Sequence, residues 1–359
     1  MKILFISPRY YPHGGGLEHV VKSVAKRLAR QGRDVLVITG ESDAPRLLEE
    51  SVSGVQVIRW PVRSPGEAYY ILVKRSELEK LIREEALKAD VVHVHSVHTI
   101  FTVYVANAAR RHANRLVLTS HYHGTGHTVL RRTLWVLWRR YAARTVRRAD
   151  VVHAVSSYEA EILKKDFGVE SVVIEHGVDE WVKSVEWKPE DYVLYSGHIE
   201  RYKNIEKIAR VVEVLGREYG MSYRLKISGD GPHKGRLIKY LERLDIEYEV
   251  TPFKPYSEYI EVLSRACLLA NLSEREAFGL TVNEAHAIGV PVMVSKPWGR
   301  HFEKRPRTLV VDLGEGEKEV AREVVKFLEH VKHQPKPEIR GWNDAVELYI
   351  AKLYTSEPI

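Results

Sequence analysis

The chain of 359 residues has one cysteine, Cys267, set inside the apolar run 266–272. A single thiol excludes a disulfide framework and a thiolate metal site, and it suits a reducing cytosol. Long apolar runs are missing too, so no spanning helix is expected. The short run Ile3–Ser7 reads as a first strand, being too brief for the core of a secretion signal. No two aspartates stand in a D-x-D arrangement, so nothing calls for a divalent ion on a phosphorylated ligand. His93 and His95 fall on one face of a strand, because side chains alternate with period two. No third ligand lies at a zinc spacing, and no metal site is expected.

Acidic residues are absent from one segment in particular. The net charge of +7 is uneven: residues 1–175 carry +9 and the remainder −2. Seven arginines and no carboxylate occupy Arg131 to Arg148. Within that segment Trp135 and Trp138 lie three apart with Leu134 and Leu137 beside them. A cationic helix with interfacial tryptophans suits an anionic membrane surface; a partly buried helix with solvated arginines is the other reading. No nucleic-acid-binding motif accompanies the charge, and no nucleic-acid partner is expected.

What is present is enough chain for two α/β domains with separate cores, organised around the stretch 273–292. The apolar run before it reads as a buried strand, which passes through Gly279 into a helix ending at Gly289. A loop between a parallel strand and its helix lies where α/β sheets bind ligands. Glu276 sits on that loop and Glu284 one to two turns into the helix. Two carboxylates so placed can accept hydrogen bonds from the vicinal hydroxyls of one ligand, which suggests a sugar nucleotide.

Glu276-Ala277-Phe278-Gly279 followed by Glu284-Ala285 resembles the E-x-F-G-x-x-x-x-E-A signature of retaining GT-B glycosyltransferases of the fourth family, the group of glycogen synthases and phosphatidylinositol mannosyltransferases. The resemblance extends, more loosely, over nearly the whole chain. It implies an α/β fold of GT-B type, two Rossmann-like domains facing each other across a cleft. Residues 1–179 would form the acceptor-side domain, 180–190 a linker marked by Lys188-Pro189, and 191–341 the nucleotide-sugar-binding domain. A helix at about 342–359 would cross back to the first domain.

Several further residues gain expected roles from the same source. Gly14-Gly15-Gly16 precedes an amphipathic helix, so its backbone N–H groups can approach a phosphate at the helix N-terminus. Gly15, Gly16 and Glu18 match the family positions beside the donor diphosphate. His121, just past the strand 116–120, occupies the position close to the transferred sugar. Lys203 matches the lysine that grips the diphosphate, but His198 stands where an arginine is usual, and a histidine lacks the bidentate fork. Gly229 belongs to a G-x-G-P turn, Phe253 lies where relatives hold the nucleobase, and Phe278, Gly279 and Leu280 line the loop. Glu284 would hold the ribose and Glu276 the sugar hydroxyls.

The function expected from the sequence is retaining, metal-independent transfer of a sugar from a nucleotide sugar, such as a UDP- or GDP-sugar, without a cofactor. The acceptor would be a glycan or a lipid-linked molecule, and the protein would be cytoplasmic, on the inner face of the membrane if Arg131 to Arg148 engage it. Glu276, Lys203 and His121 are the expected catalytic residues. The alternatives are a GT-B sugar-nucleotide 2-epimerase and a nucleotide-sugar-binding protein weakened by His198.

Overall fold

The computed structural model describes residues 1–42, 47–64, 70–124 and 129–355, the side chains of 129–132 excepted. The chain divides into two compact units, Met1–His176 with Trp342–Ile359, and Gly177–Gly341.

Among the described residues the first unit is built on nine strands: β1 (Lys2–Ser7), β2 (Asp34–Glu41), β3 (Leu48–Val52), β4 (Val55–Arg63), β5 (Ile71–Leu72), β6 (Val91–His95), β7 (Leu116–Thr119), β8 (Val151–Ala154) and β9 (Val172–Val173). Their spatial order is β3-β4-β2-β1-β6-β7-β8-β9, with β5 on β4. The pairings from β4 to β9 are parallel. Strands covered on both faces read as continuous apolar runs, and Ile3, Leu4, Phe5 and Ile6 are all fully buried. Helices α1 (Gly16–Arg30), α2 (Arg75–Lys88), α3 (Ile100–Ala109), α4 (Val129–Arg148) and α5 (Ser157–Phe167) connect them.

Strand β4 is the second arm of a hairpin, paired antiparallel with β3; Ser53 and Gly54 turn it with φ of 56° and 82°, the pair of positive values a tight two-residue hairpin needs. Helix α2 starts at Arg75. Before it Ile71 and Leu72 pair with Arg63 and Val62, and Tyr70 and Lys74 adopt left-handed backbone; residues 67–69 lie outside the described residues.

The second unit has six parallel strands, β10 (Glu190–Ser196), β11 (Arg224–Ser228), β12 (Tyr248–Thr251), β13 (Ala266–Asn271), β14 (Val292–Ser295) and β15 (Thr308–Val311), in the order β12-β11-β10-β13-β14-β15. Its helices are α6 (Glu180–Lys183), α7 (Ile205–Tyr219), α8 (Lys234–Leu241), α9 (Tyr256–Ser264), α10 (Leu280–Ile288) and α11 (Glu317–Val331). The strand order reverses between β10 and β13, so the loops that leave these two strands flank the switch point, where such sheets bind ligands.

Residues 180–190 are not a bare linker. They hold α6, Trp187 Nε1 donates to the Ala266 carbonyl at 2.8 Å, and Lys188 and Glu190 N–H groups donate to the carbonyls of Ser264 and Arg265. Lys188-Pro189 therefore lies in irregular chain packed on the second unit. The last helix, α12 (Trp342–Tyr349), continues as one π-helical turn, Ile350–Tyr354, and belongs to the first unit. Arg27 Nε and Gln31 Nε2 donate to Asn343 Oδ1 and Glu347 Oε1 at 3.1 and 2.7 Å.

Candidate active site

In the second unit the loops after β10 and β11 lie backbone against backbone. A Cβ on Gly229 would collide with the Gly197 carbonyl oxygen, and Ile199 N–H donates to the Asp230 carbonyl at 2.9 Å; only glycine permits that approach. After Gly197 comes His198, exposed, with its ring edge-on to Phe253 at a centroid distance of 5.2 Å. Phe253 itself is 50% exposed, an aromatic surface open to a stacking partner.

A short helical turn then delivers Lys203, whose ammonium meets the Glu276 carboxylate from the loop after β13. The two loops are tied: Glu274 N–H donates to the Tyr202 carbonyl at 2.9 Å, and Asn204 Nδ2 to the Leu272 carbonyl at 2.9 Å. Burial opposes the charge on Lys203, but Glu276, with Tyr202 and Tyr195, outweighs it and raises the lysine pKa above its ordinary value. The lysine is thus a fixed cation. Arg275, next to Glu276 in sequence, pairs with Glu274 at 2.7 Å and is buried.

Gly279 opens α10 in left-handed backbone, φ 97°, and a Cβ there would stand 2.8 Å from the Trp298 ring. No side chain caps this helix, so its N-terminal N–H groups remain available to an anion beside Leu280. Phe278, a donor-binding candidate, has its ring buried against His301 and Phe302; it shapes the loop from within. One turn into the helix Glu284 is buried and accepts from the Tyr259 hydroxyl at 3.0 Å. Burial raises its pKa to about 7 against the hydrogen bonds of Tyr259 and Tyr256. Sequence reasoning missed these tyrosines of α9, whose only signal is a Tyr-x-x-Tyr spacing that fits one helical face.

In the first unit Gly15 and Gly16 begin α1, and the Glu18 carboxylate folds back against Gly15. His121, at the end of β7, has φ 49°. Its Nε2 lies 3.1 Å from His95 Nδ1, its carbonyl accepts from His98 Nε2 at 2.9 Å, and its ring stacks on His95 and His176. Burial, followed by His153 and His98, lowers its pKa to about 3, so it is neutral at pH 7.

His93 and His95 part company. Ile174 offers only a carbonyl, so His153 Nε2–H donates to it (2.8 Å) and His153 Nδ1 accepts from the Thr119 hydroxyl (2.8 Å). Thr119 Oγ1 then accepts from His93 Nε2–H (2.7 Å), and His93 Nδ1 accepts from the Tyr354 hydroxyl (2.8 Å). His93 is therefore a buried link between the sheet and the last turn of the chain, with both nitrogens engaged. Among the described residues no three His, Cys, Asp or Glu side chains are disposed to hold a metal.

The tryptophans of α4 correct the expectation of an interfacial pair. Trp135 stacks on His98 and Tyr122, and Trp138 Nε1 donates to the Val97 carbonyl at 2.9 Å. They share the inner arc with the buried Ala142, Ala143, Thr145 and Val146. At 100° per residue the opposite arc carries Leu134, Val136, Leu137 and Tyr141, all exposed, with exposed Arg140, Arg144 and Arg148. No described helix is long and apolar enough to cross a membrane.

The chain is similar to known proteins in sequence and in fold. Residues 14–181 match Glycosyltransferase Family 4, and residues 178–302 match Glycosyl transferases group 1. The chain is 25% identical over 313 residues to N-acetyl-alpha-D-glucosaminyl L-malate synthase of Bacillus anthracis, covering 80% of this chain and 78% of that protein. It is 26% identical over 313 residues to GDP-mannose:cellobiosyl-diphosphopolyprenol alpha-mannosyltransferase of Xanthomonas oryzae, covering 83% and 79%. Its fold matches HepE of Anabaena, solved with UDP and glucose, with a TM-score of 0.72 at 17% identity over 99% of this chain and 100% of that one. The chain is a glycosyltransferase with the GT-B fold.

Proposed function

We propose that this glycosyltransferase moves a sugar from a nucleotide sugar to its acceptor with retention and without a metal. The observation that carries the reading is the Lys203–Glu276 pair beside the uncapped start of α10, with Glu284 one turn further on. Lys203 and the first N–H groups of α10 stabilise the charge that develops on the departing diphosphate, as preorganised donors do. Glu284 accepts from the ribose hydroxyls, and Phe253 with His198 gives the base a surface to stack on. Glu276 hydrogen-bonds the sugar hydroxyls and is not cast as a nucleophile; leaving and attacking groups share one face. In the first unit the turn of Gly15, Gly16 and Glu18 suits a phosphate at the start of α1, and neutral His121 has a ring nitrogen suited to a sugar hydroxyl.

The acceptor we propose is lipid-linked and met at the inner, anionic face of a membrane. The exposed arc of α4 supports this, since it mixes aliphatic side chains with arginines, each about 1 kcal/mol near such a surface. The Xanthomonas relative is named for a diphosphopolyprenol acceptor. Nucleotide release from UDP- and GDP-sugars, measured with a lipid extract as acceptor source and with EDTA present, tests the reading. Release of one nucleotide with formation of an α-linked lipid glycoside from an α-linked donor supports it. Activity lost in EDTA and restored by magnesium, or an inverted product, contradicts it.

A further inference from the structure

We propose that Glu159 is the positioning residue of the first unit: it holds the turn that aims His121 and so governs turnover without touching substrate. The inference rests on the role read for His121 above.

His121 is one of seven described residues other than glycine with positive φ, a region such residues rarely enter unless their surroundings enforce it. The residues on either side of it are gripped by one oxygen. Glu159 Oε1 accepts from Ser120 Oγ and from the Tyr122 N–H at 2.5 Å, and Oε2 accepts from the Val155 N–H at 2.7 Å. The carboxylate thus ties the end of β7 to the end of β8. Glu159 is fully buried, so water cannot replace these donors.

Its place in sequence suggests a smaller job. Ser156 caps α5 by accepting from the Glu159 N–H at 3.0 Å, the first half of a capping box, in which the glutamate normally serves its own helix end. Here the side chain reaches residues 37 and 39 positions earlier. A local cap needs no such reach. The ring of His121 is fixed separately, by His95 at Nε2, while His98 holds its carbonyl. Backbone and ring are each constrained, as a group must be when a small misplacement is costly to rate.

The test compares Glu159→Gln, Ser120→Ala and the parent in two readouts. One is the imidazole 15N spectrum, with the His121 signals assigned by their loss in His121→Gln. The other is nucleotide release from UDP-glucose and GDP-mannose. In Glu159→Gln we expect His121 signals averaged between tautomers and titrating near the free-histidine range, turnover down roughly tenfold to a hundredfold, and unchanged KM for the donor. Ser120→Ala, which removes one donor, should fall between and decides the matter if Glu159→Gln does not fold. A folded Glu159→Gln protein with parental His121 signals and turnover overturns the proposal and leaves Glu159 as a helix cap. If the parent releases nucleotide from neither donor, the functional reading fails there, and the spectrum alone decides for or against positioning.

Discussion

Lys203 and Glu276 come from loops on opposite sides of the switch point in the second unit, and the ammonium of one rests against Oε1 of the other. Their side chains are 11% and 21% exposed, sheltered enough for the charge to be held in place and open enough for a ligand to reach it. In the proposed reaction an arriving diphosphate would compete with Glu276 for the ammonium, and the carboxylate released by that exchange would face the sugar.

The pair makes the lysine measurable. Lys203→Ala should lower kcat/KM for the donor by about 2 to 4 kcal/mol, the range for a preorganised electrostatic donor. Lys203→Arg keeps the charge and should recover part of it. Steady-state kinetics on the two variants decides; a Lys203→Ala enzyme with parental kcat/KM would remove the lysine from the diphosphate.

Glu284 predicts a pH dependence of donor affinity. Burial raises its pKa to about 7, so below pH 7 the carboxyl is protonated and keeps fewer acceptor sites for two ribose hydroxyls. Affinity for a nucleotide sugar should rise as pH climbs through 7, and Glu284→Gln should bind weakly with no such rise. A nucleotide sugar is the right probe, because its diphosphate carries no proton that titrates there. Equal affinity at pH 6 and pH 8 contradicts the assignment.

Stability has its own profile, set by opposing groups. Glu159 and Glu284 are both raised to about 7; the unfolded chain loses those protons near 4.5 while the fold keeps them, so their contribution falls as pH rises from 4.5 to 7. Eight described histidines move the other way, His93, His95, His98, His121, His153, His176, His286 and His301, all lowered first by burial. Their folded pKa values lie below the unfolded 6.5, so the unfolded chain takes up protons that the fold refuses, and stability falls as pH drops below 6.5. A pKa displaced by one pH unit corresponds to about 1.4 kcal/mol, and eight groups outweigh two. Calorimetry should show Tm climbing from about pH 4.5 to 6.5 and levelling near 7; a Tm that falls over the lower interval contradicts the neutral histidine cluster.

The exposed arc of α4 gives a binding prediction. Anionic liposomes should sediment the protein at low salt and release it at high salt, because the arginines act within a Debye length. Arg140→Glu with Arg144→Glu should abolish that binding, and Leu137→Ser should weaken it at any salt. Protein left in the supernatant with anionic vesicles at low salt excludes the membrane.

Legibility followed how local each feature is. The spacing from Glu276 through Gly279 to Glu284 was readable because a strand, a glycine at φ 97° and one helical turn fix it with neighbours in sequence. The direction of Trp135 and Trp138 was not, since a helix faces whatever packs on it, and the small residues Ala142, Ala143 and Val146 mark the inner arc better than the tryptophans do. His93 and His95 share a face by period two, yet Tyr354 claims one and His121 the other from distant parts of the chain. Glu159 reads as a helix cap in the sequence because its partners Ser120 and Tyr122 are on another strand's loop.

Glycosyl transfer through Glu276 is tested most directly by titrating UDP-glucose and GDP-mannose into the parent and Glu276→Gln proteins and then following nucleotide release by each. One donor should bind both proteins with affinities within about threefold, while release by the variant drops by about 2 to 4 kcal/mol in kcat. Parental release by Glu276→Gln, or no binding of either nucleotide sugar to the folded parent protein, would contradict it.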